Sequence, residues 1–208
     1  MFRRGCIELI IGGMRVGKTT QGLERLNQES FAKGRKAKVF LPRGSDREVE
    51  LVGGKKVKTN GRAIGRSGLI AANAIEFDKD NPREILAYIT PDLTTVYIDE
   101  AHFCSDELVA VAKELAEIHK LRVIIAGLDQ TFEELPFGPI PKLACEADFV
   151  TKLQAVCMHC GDAPATKSWL HPKLRSQVKA GSVYVSDKDY LSVCRHCFRL
   201  LEKNPPER

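Results

Sequence analysis

Residues 6–20 read CIELIIGGMRVGKTT, a short apolar run that stops at two glycines and then continues into Gly-Lys-Thr. Residues 12–19 match the pattern G-x-x-x-x-G-K-[ST]. In this pattern the backbone N–H groups of a glycine-rich loop surround a β-phosphate, the lysine reaches the β and γ oxygens, and the hydroxyl serves Mg²⁺. The segment therefore predicts a buried strand, a phosphate-binding loop and a helix.

Beyond this loop, apolar runs alternate with segments of helical spacing. The predicted strands are 37–41, 94–99 and 121–127, and the predicted helices are 19–34, 81–89, 105–120 and 142–146. Strands that alternate with helices indicate a parallel sheet, whose ligands bind beyond the carboxyl ends of the strands. We therefore predict an α/β fold over residues 1–149, a RecA-like P-loop domain with a mostly parallel sheet flanked by helices.

Two segments carry more specific expectations. Residues 43–73 are polar, basic and rich in glycine without a sustained period, which predicts an exposed hairpin or a mobile loop. In the helix at 105–120 the apolar positions share one face: Leu108, Val111, Ala112, Leu115 and Ile118.

Composition excludes several classes of protein. A chain of 208 residues holds one well-buried domain and a small addition, but not the two nucleotide-binding domains of a translocase. No apolar run approaches the roughly 20 residues that cross a bilayer. Net charge is +5, and its basic clusters are typical of a solvated surface. Seven cysteines without a signal peptide indicate a reducing compartment, so we expect a cytoplasmic protein.

Four cysteines form two CxxC pairs, CMHC at 157–160 and CRHC at 194–197. Each pair supplies two thiolates from one tight turn, and four thiolates suit a tetrahedral Zn²⁺. Because four protein ligands leave no open position, the zinc is expected to be structural. The predicted ligands are Cys157, Cys160, Cys194 and Cys197. We assign residues 150–202 to a small zinc-binding domain and 203–208 to a flexible tail.

Residues 96–103, VYIDEAHF, have two interpretations. In a nucleic-acid-dependent ATPase, the Asp of such a motif helps to hold Mg²⁺ and the Glu activates a water. In a kinase the Glu instead takes a proton from a substrate hydroxyl, which then attacks ATP. The motif alone does not separate the two.

Taken in order, the phosphate loop, IDEAHF, GLDQTFEELPFG and the two CxxC pairs resemble the type II thymidine kinases, over roughly residues 5–200. That family combines a nucleotide-binding domain with a zinc-held lasso. The resemblance implies ATP and Mg²⁺ as cofactors, with catalytic roles for Glu100 as general base, Lys18 and Arg47. It implies that the donor nucleotide contacts Gly12, Gly13, Met14, Arg15, Val16, Gly17, Lys18, Thr19, Thr20, Asp99, Glu100, Ala101 and His102. For the nucleoside it points to Met14, Phe103, Phe132, Phe137, Thr166, Val185 and Tyr190.

The chain departs from the family pattern at three places. His102 stands where members usually have Gln, two places after the glutamate. Asp46 directly precedes Arg47, so a D-x-R spacing is not kept. Val185 or Ser186 stands where a glycine is common, and only glycine lets backbone approach a ligand so closely.

These observations favour a kinase that transfers the γ-phosphoryl group of ATP to the 5′-hydroxyl of thymidine. Whether deoxyuridine is a second acceptor is left open by the sequence. Two alternatives remain: a nucleotide-binding relative without turnover, and a nucleic-acid-dependent ATPase. The resemblance also implies a homotetramer and feedback inhibition by thymidine triphosphate. No membrane attachment and no stable nucleic-acid binding are expected.

Overall fold

The structure is a computed structural model that describes residues 5–71, 73–162, 164–175, 178 and 189–206. Its strands in chain order are β1 (Cys6–Gly12), β2 (Ala37–Pro42), β3 (Glu48–Glu50), β4 (Lys56–Lys58), β5 (Ala63–Ile64), β6 (Ile70–Ala71), β7 (Ala74–Phe77), β8 (Thr95–Ile98), β9 (Arg122–Leu128), β10 (Phe149–Lys152), β11 (Ala155–Val156), β12 (Pro164–Ala165), β13 (Lys167–Leu170) and β14 (Tyr190–Val193). The α-helices are α1 (Lys18–Ser30), α2 (Glu107–Glu117), α3 (Ile140–Glu146), α4 (Pro172–Arg175) and α5 (Arg195–Lys203). Two 3₁₀ helices cover Pro82–Tyr88 and Ala101–Phe103.

Among the described residues, six strands form one parallel sheet in the order β10-β1-β9-β8-β2-β7. β1 and β9 run side by side from the pair Cys6 and Arg122 to the pair Gly12 and Leu128. β8 lies on the other side of β9 and ends at Ile98. The carboxyl ends of β1, β8 and β9 therefore meet at one edge, where ligands of such sheets bind. The predicted α/β fold with a mostly parallel sheet is confirmed.

Successive side chains of the central strands enter two apolar cores, one on each face of the sheet. In β1, Leu9 belongs to the core that packs against α2 and α3, whereas Ile10 belongs to the core that packs against α1. Ile125 and Ile124 of β9 divide between the two cores in the same way. A strand buried on both faces reads as a continuous apolar run, which is why these strands were visible in the sequence.

The apolar face predicted for the helix at 105–120 is buried along α2, except for its last member. Leu108, Val111, Ala112 and Leu115 are all fully buried. The prediction is wrong for Ile118, which is 69% exposed because α2 ends at Glu117 and the chain then turns away from the core. The buried leucine and valine side chains each contribute roughly 1.5–3 kcal/mol and Ala112 less, and together these residues hold α2 to the sheet.

Residues 43–71 form two short antiparallel hairpins, β3–β4 and β5–β6, before β7 joins the sheet beside β2. The alternation of β4 does expose Lys56 and Lys58. However, Val49, Ala63 and Ile64 are each only 2% exposed. Strands of two or three residues are too short to produce a recognisable period, so these anchors were not predicted.

The C-terminal part of the chain has its own apolar cluster. Here β11 pairs with β12, β13 pairs with β14, and α5 packs against β13. The cluster contains Cys157, Trp169, Val193, Cys194, Cys197, Phe198 and Leu201. Strand β10 still belongs to the main sheet, and it runs across the 149/150 boundary expected from the sequence. Near the C-terminus, the Pro206 carbonyl oxygen lies 3.0 Å from His171 Nε2.

Across the described residues, every helix is too short or too polar to span a bilayer.

Candidate active site

The phosphate loop connects β1 to α1 at the carboxyl edge of the sheet, where the sequence predicts it. Gly12 has a φ of 142° and Gly17 a φ of 89°, both in the range that favours glycine. A Cβ atom on Gly12 would lie 2.5 Å from the Leu153 carbonyl oxygen. The backbone geometry therefore requires these two glycines, while Gly13 to Val16 form the tip of the loop.

Lys18 begins α1, and its side chain turns back into the loop. Its Nζ atom donates a hydrogen bond of 2.6 Å to the Gly13 carbonyl oxygen. Burial lowers the pKa of Lys18 to about 8, although the Glu100 and Asp99 carboxylates oppose this change. The ammonium is therefore still the main form at neutral pH, and it is available to an incoming phosphate.

Thr19 and Asp99 place two oxygen ligands side by side. The Thr19 hydroxyl is hydrogen-bonded to the Asp99 carboxylate, which also accepts the Glu100 backbone N–H at 3.0 Å. Burial, and then the adjacent Glu100 charge, raise the pKa of Asp99 to about 6. Mg²⁺ takes hard oxygen ligands, so this pair fits the metal expected beside a phosphate loop. Thr20 instead lies against Gly65, on which a Cβ atom would come 2.8 Å from the Thr20 hydroxyl.

Glu100 follows Asp99 at the end of β8 and is buried. Its φ of 51° lies in the left-handed region, which is uncommon for residues other than glycine. One carboxylate oxygen, Oε1, forms an ion pair with Arg47. Burial alone would raise the pKa of Glu100, but Arg47 outweighs it and the pKa falls below its usual value. The group is therefore ionised at neutral pH, as a proton acceptor must be.

Arg47 lies between β2 and β3 and is held there by Thr59. The Thr59 hydroxyl accepts the Arg47 backbone N–H at 2.9 Å and donates to Asp46 Oδ1 at 2.8 Å. The Thr59 N–H in turn donates to the Arg47 carbonyl oxygen at 2.9 Å. Asp46 also accepts the Gly61 N–H at 2.8 Å, and this bond lowers its pKa. Asp46 thus anchors the loop that carries Arg47, despite the altered spacing of the two residues.

His102 is 2% exposed and lies next to Glu100. Its Nδ1 atom accepts the Leu128 N–H at 3.1 Å, which assigns the ring proton to Nε2. Nε2 lies 3.6 Å from Glu100 Oε2. Burial lowers the pKa of His102 to about 3, so the imidazole is neutral. The ring contacts Phe103 at 4.1 Å and Phe137 at 4.6 Å between centroids.

The residues predicted to bind the nucleoside fall into two groups. Phe103 and Phe137 meet edge to face, with ring centroids 6.0 Å apart. The second group is an apolar cluster that includes Met14, Phe132 and Tyr190, packed with Leu170, Leu174 and Val178. Both groups contain aromatic rings of the kind that stack on or enclose a flat base.

Three further predicted residues are placed as follows. Thr166 is half-buried beside the phosphate loop, since a Cβ atom on Gly13 would lie 3.9 Å from its carbonyl carbon. Ala101 is fully buried in the core that packs against α2. Val185 lies outside the described residues.

The four predicted cysteine ligands converge in the C-terminal part. The Sγ atoms of Cys157, Cys160, Cys194 and Cys197 all lie within 4.8 Å of one another. A tetrahedral zinc with Zn–S bonds of about 2.3 Å needs sulfur atoms about 3.8 Å apart, so the cluster fits the ion. Burial raises the pKa of Cys157, but hydrogen bonds from the backbone N–H groups of Cys160, Cys194 and His159 reverse this and lower it to about 6. The thiolate that a metal requires is therefore favoured at Cys157, whereas burial raises the pKa of Cys197 to about 12.

Three polar residues at the site were not predicted. Asp129 follows β9, and its Oδ2 atom lies 2.7 Å from Lys152 Nζ. Its charge also opposes the burial that lowers the pKa of Lys18. Ser168 and Ser192 contact the phosphate loop from the β13–β14 hairpin. Asp129 could have been suspected because it follows a predicted strand, but no local pattern marks either serine.

Comparison with known proteins agrees with this geometry. The family profile described as thymidine kinase matches residues 5–198. A thymidine kinase of Porphyromonas gingivalis is 36% identical over 206 residues, which cover 98% of this chain and 90% of the relative. A thymidine kinase of Bacteroides thetaiotaomicron is 37% identical over 94% of this chain and 88% of its own length.

Among solved structures, the large terminase from a thermophilic bacteriophage aligns with a TM-score of 0.41 and 10% identity over 73% of this chain and 40% of its own. That likeness is too weak to bear on function. The match across nearly the whole chain is the informative one: the chain belongs to the thymidine kinase family, phosphotransferases that move a phosphoryl group from a nucleotide donor to a nucleoside.

Proposed function

We propose that this chain is an ATP-dependent thymidine kinase that also uses Mg²⁺, with deoxyuridine as a second acceptor to be tested. The observation that carries the proposal is the Glu100 carboxylate, which is buried, held ionised and located beside the phosphate loop. A phosphate loop alone would equally suit an ATPase. A base held close to it, in a chain of this family, favours transfer to a hydroxyl group.

The donor nucleotide is assigned to the loop and helix start, Gly12–Thr20, and to the segment Asp99–His102. Lys18 contributes the buried positive charge for the β- and γ-phosphates. Thr19 and Asp99 would hold Mg²⁺, which when bound neutralises charge on the transferring phosphoryl group. The hydrogen bond between these two side chains supports this assignment, because it brings both oxygens to one point.

Glu100 is assigned as the general base toward the 5′-hydroxyl. As the nucleoside oxygen bonds to the γ-phosphorus, Glu100 takes the hydroxyl proton and the bond between γ-phosphorus and its bridging oxygen breaks, which releases ADP. Arg47 is assigned to the transferring phosphoryl group, since it is the cation paired with the base. Neutral His102 is assigned to orient Glu100, because its protonated Nε2 faces Glu100 Oε2 at 3.6 Å, just beyond hydrogen-bond distance.

The nucleoside is assigned to the two aromatic groups and to the adjacent hairpin. Phe103 and Phe137 lie on the side of Glu100, because they pack against His102. Met14, Phe132 and Tyr190 lie on the side of the hairpin, as Thr166 does. The role of Val185 rests on the family resemblance alone.

Zinc is assigned a structural role at the four cysteines, within a domain of residues 150–202 that follows the P-loop domain of residues 1–149. The convergence of the four sulfur atoms supports this assignment. The resemblance to type II thymidine kinases supports a homotetramer, feedback inhibition by thymidine triphosphate and a cytoplasmic location.

The test is a product assay with the zinc-loaded protein, Mg·ATP and a panel of nucleosides, run in parallel with single-stranded DNA and RNA. Formation of thymidine monophosphate and ADP in equal amounts supports the proposal. Binding of ATP and thymidine without product would instead indicate a catalytically altered relative. ADP release that depends on nucleic acid and not on nucleoside would indicate an ATPase.

A further inference from the structure

Two serines of the β13–β14 hairpin hold the tip of the phosphate loop at one residue, Met14. Ser168 Oγ accepts the Met14 N–H at 3.0 Å. The Ser192 hydroxyl donates to the Met14 carbonyl oxygen at 2.6 Å. The serines stand directly opposite each other in the hairpin and are 7% and 2% exposed. Residues opposite each other in an antiparallel pair share one face, so the two hydroxyls act as a single clamp.

The first of these bonds also affects Lys18. The Met14 N–H that Ser168 accepts belongs to the same peptide group as the Gly13 carbonyl, and that carbonyl holds Lys18 Nζ at 2.6 Å. Because a peptide group is planar, its N–H and C=O rotate together. Ser168 therefore fixes the orientation of the carbonyl that positions the lysine.

The second bond affects the shape of the loop. Ser192 fixes the peptide group between Met14 and Arg15, and the orientation of this group sets the φ of Arg15. That φ is 60°, in the left-handed region that residues other than glycine rarely adopt. A conformation of this kind persists only where its surroundings stabilise it, and the Ser192 hydroxyl does so here.

The clamp is connected to the cysteine cluster by hydrogen bonds from backbone N–H groups of the two CxxC segments and of Ser192. The Met158 N–H donates to the Ser192 carbonyl oxygen at 2.9 Å, and the Ser192 N–H lies 3.3 Å from Met158 Sδ. The Cys194 N–H donates to Cys157 Sγ at 3.2 Å. A metal that draws the two CxxC pairs together therefore also fixes the position of Ser192.

We propose that Ser168 and Ser192 are positioning residues for the phosphate donor, and that they couple zinc binding in the C-terminal part to the affinity of the phosphate loop. The proposal rests on the proposed function only in taking the loop as the donor site. Neither serine touches the reacting atoms. They act through the two peptide groups of Met14.

The test uses the full chain with zinc bound and measures the dissociation constant of Mg·ATP by calorimetry. Ser168→Ala and Ser192→Ala should each weaken donor binding about tenfold, the worth of one hydrogen bond in a buried site. Ser168→Thr and Ser192→Thr keep the hydroxyl and should restore most of the affinity. Ser105→Ala is the matched control, because the Ser105 hydroxyl has no hydrogen-bond partner within the described residues.

Measuring donor affinity with and without zinc, in the wild type and in the double variant, distinguishes coupling from a purely structural role of the two serines. Chelation of zinc should weaken donor binding in the wild type, but have little further effect in the Ser168→Ala/Ser192→Ala double variant, because the coupling has already been removed. The zinc content and melting temperature of each variant are measured alongside. Equal losses on chelation in the wild type and in the double variant would overturn the coupling. So would serine variants whose loss of donor affinity is fully explained by a lower zinc content.

Hydrogen exchange of the Met14 amide distinguishes failure of the clamp from failure of the proposed function. The clamp predicts a protected Met14 amide without nucleotide, and loss of that protection in Ser168→Ala. A wild type that binds ATP but exchanges this amide freely contradicts the clamp. A wild type with a protected amide that binds no ATP contradicts the proposed function, and with it the donor role of the serines.

Discussion

Replacing Glu100 with glutamine removes the proposed base while keeping its size and an oxygen that can accept from Arg47. A positioned general base is worth about 10²–10⁴ in rate, or roughly 3–5 kcal/mol of activation free energy. We therefore expect kcat to fall by about that factor. The dissociation constant of Mg·ATP should change by less than about threefold, because Lys18 and the backbone of the loop provide most of the contacts with phosphate.

The same substitution has two electrostatic consequences. Glu100 is the largest opposing influence on the lowered pKa of Lys18, so its removal lowers that pKa further below about 8. Glu100 also adds to the effect of burial in raising the pKa of Asp99, which should therefore fall below about 6. In Glu100→Gln both limbs of the pH profile of donor binding should accordingly move to lower pH.

The assay measures kcat by rapid-quench product formation and ATP affinity by calorimetry, each across pH. Glu107→Gln is the matched control, since Glu107 is an exposed carboxylate at the start of α2. A Glu100→Gln protein with unchanged kcat would remove Glu100 from the mechanism. A loss of ATP affinity as large as the loss in kcat would make Glu100 a donor ligand and not a base.

The remaining predictions concern the pH profile, His102 and the ion pairs at the other end of the sheet. The kcat/KM for the donor should rise with pH as Asp99 ionises through its pKa of about 6. It should then fall as Lys18 loses its proton through its pKa of about 8. A flat profile between about pH 5 and 9 would contradict both roles. His102→Gln keeps an N–H donor facing Glu100 and should retain kcat within about threefold, whereas His102→Leu removes it and should lose about tenfold. Equal activity of the two variants in steady-state kinetics would exclude an orienting role for the His102 N–H. Arg122→Met leaves the buried Glu8 and Glu29 carboxylates without their shared partner and should reduce the free energy of unfolding in urea by roughly 3 kcal/mol. Kinetic constants measured below the melting temperature should not change, because this network lies at the amino ends of the strands and the candidate active site at their carboxyl ends.

The strands and the phosphate loop were predictable because their signals are local. β1, β8 and β9 are short apolar runs, and the loop has its glycines and Lys18 at fixed spacing. The order of the sheet was not predictable, because the edge strands β10 and β7 are only four residues long, too short for a recognisable period.

The same distinction holds at the site. Glu100 and the four cysteines were found because motifs contain them. The clamp was not, because Ser168 and Ser192 lie 154 and 178 residues from Met14, and a serine in a strand has no distinctive local pattern. The proton position on His102 likewise depends on a contact with Leu128 that only the folded chain provides.

The parallel sheet carries charge at both of its ends, and the two ends respond to acid at different pH. At the amino ends, burial opposes ionisation of Glu29, but bonds from Arg35, Arg122 and Thr95 outweigh it and lower its pKa to about 2. The stability that this carboxylate contributes is complete above its unfolded pKa of about 4.3, declines as the pH falls below that value, and is lost as the pH passes through about 2. At the carboxyl ends, Asp99 is already protonated below about 6. Between about pH 6 and about pH 4.3 the Glu29 network therefore keeps its full contribution to stability while Asp99 is already mostly protonated, so we expect activity to fall there before that network weakens, and to return when the pH is raised again.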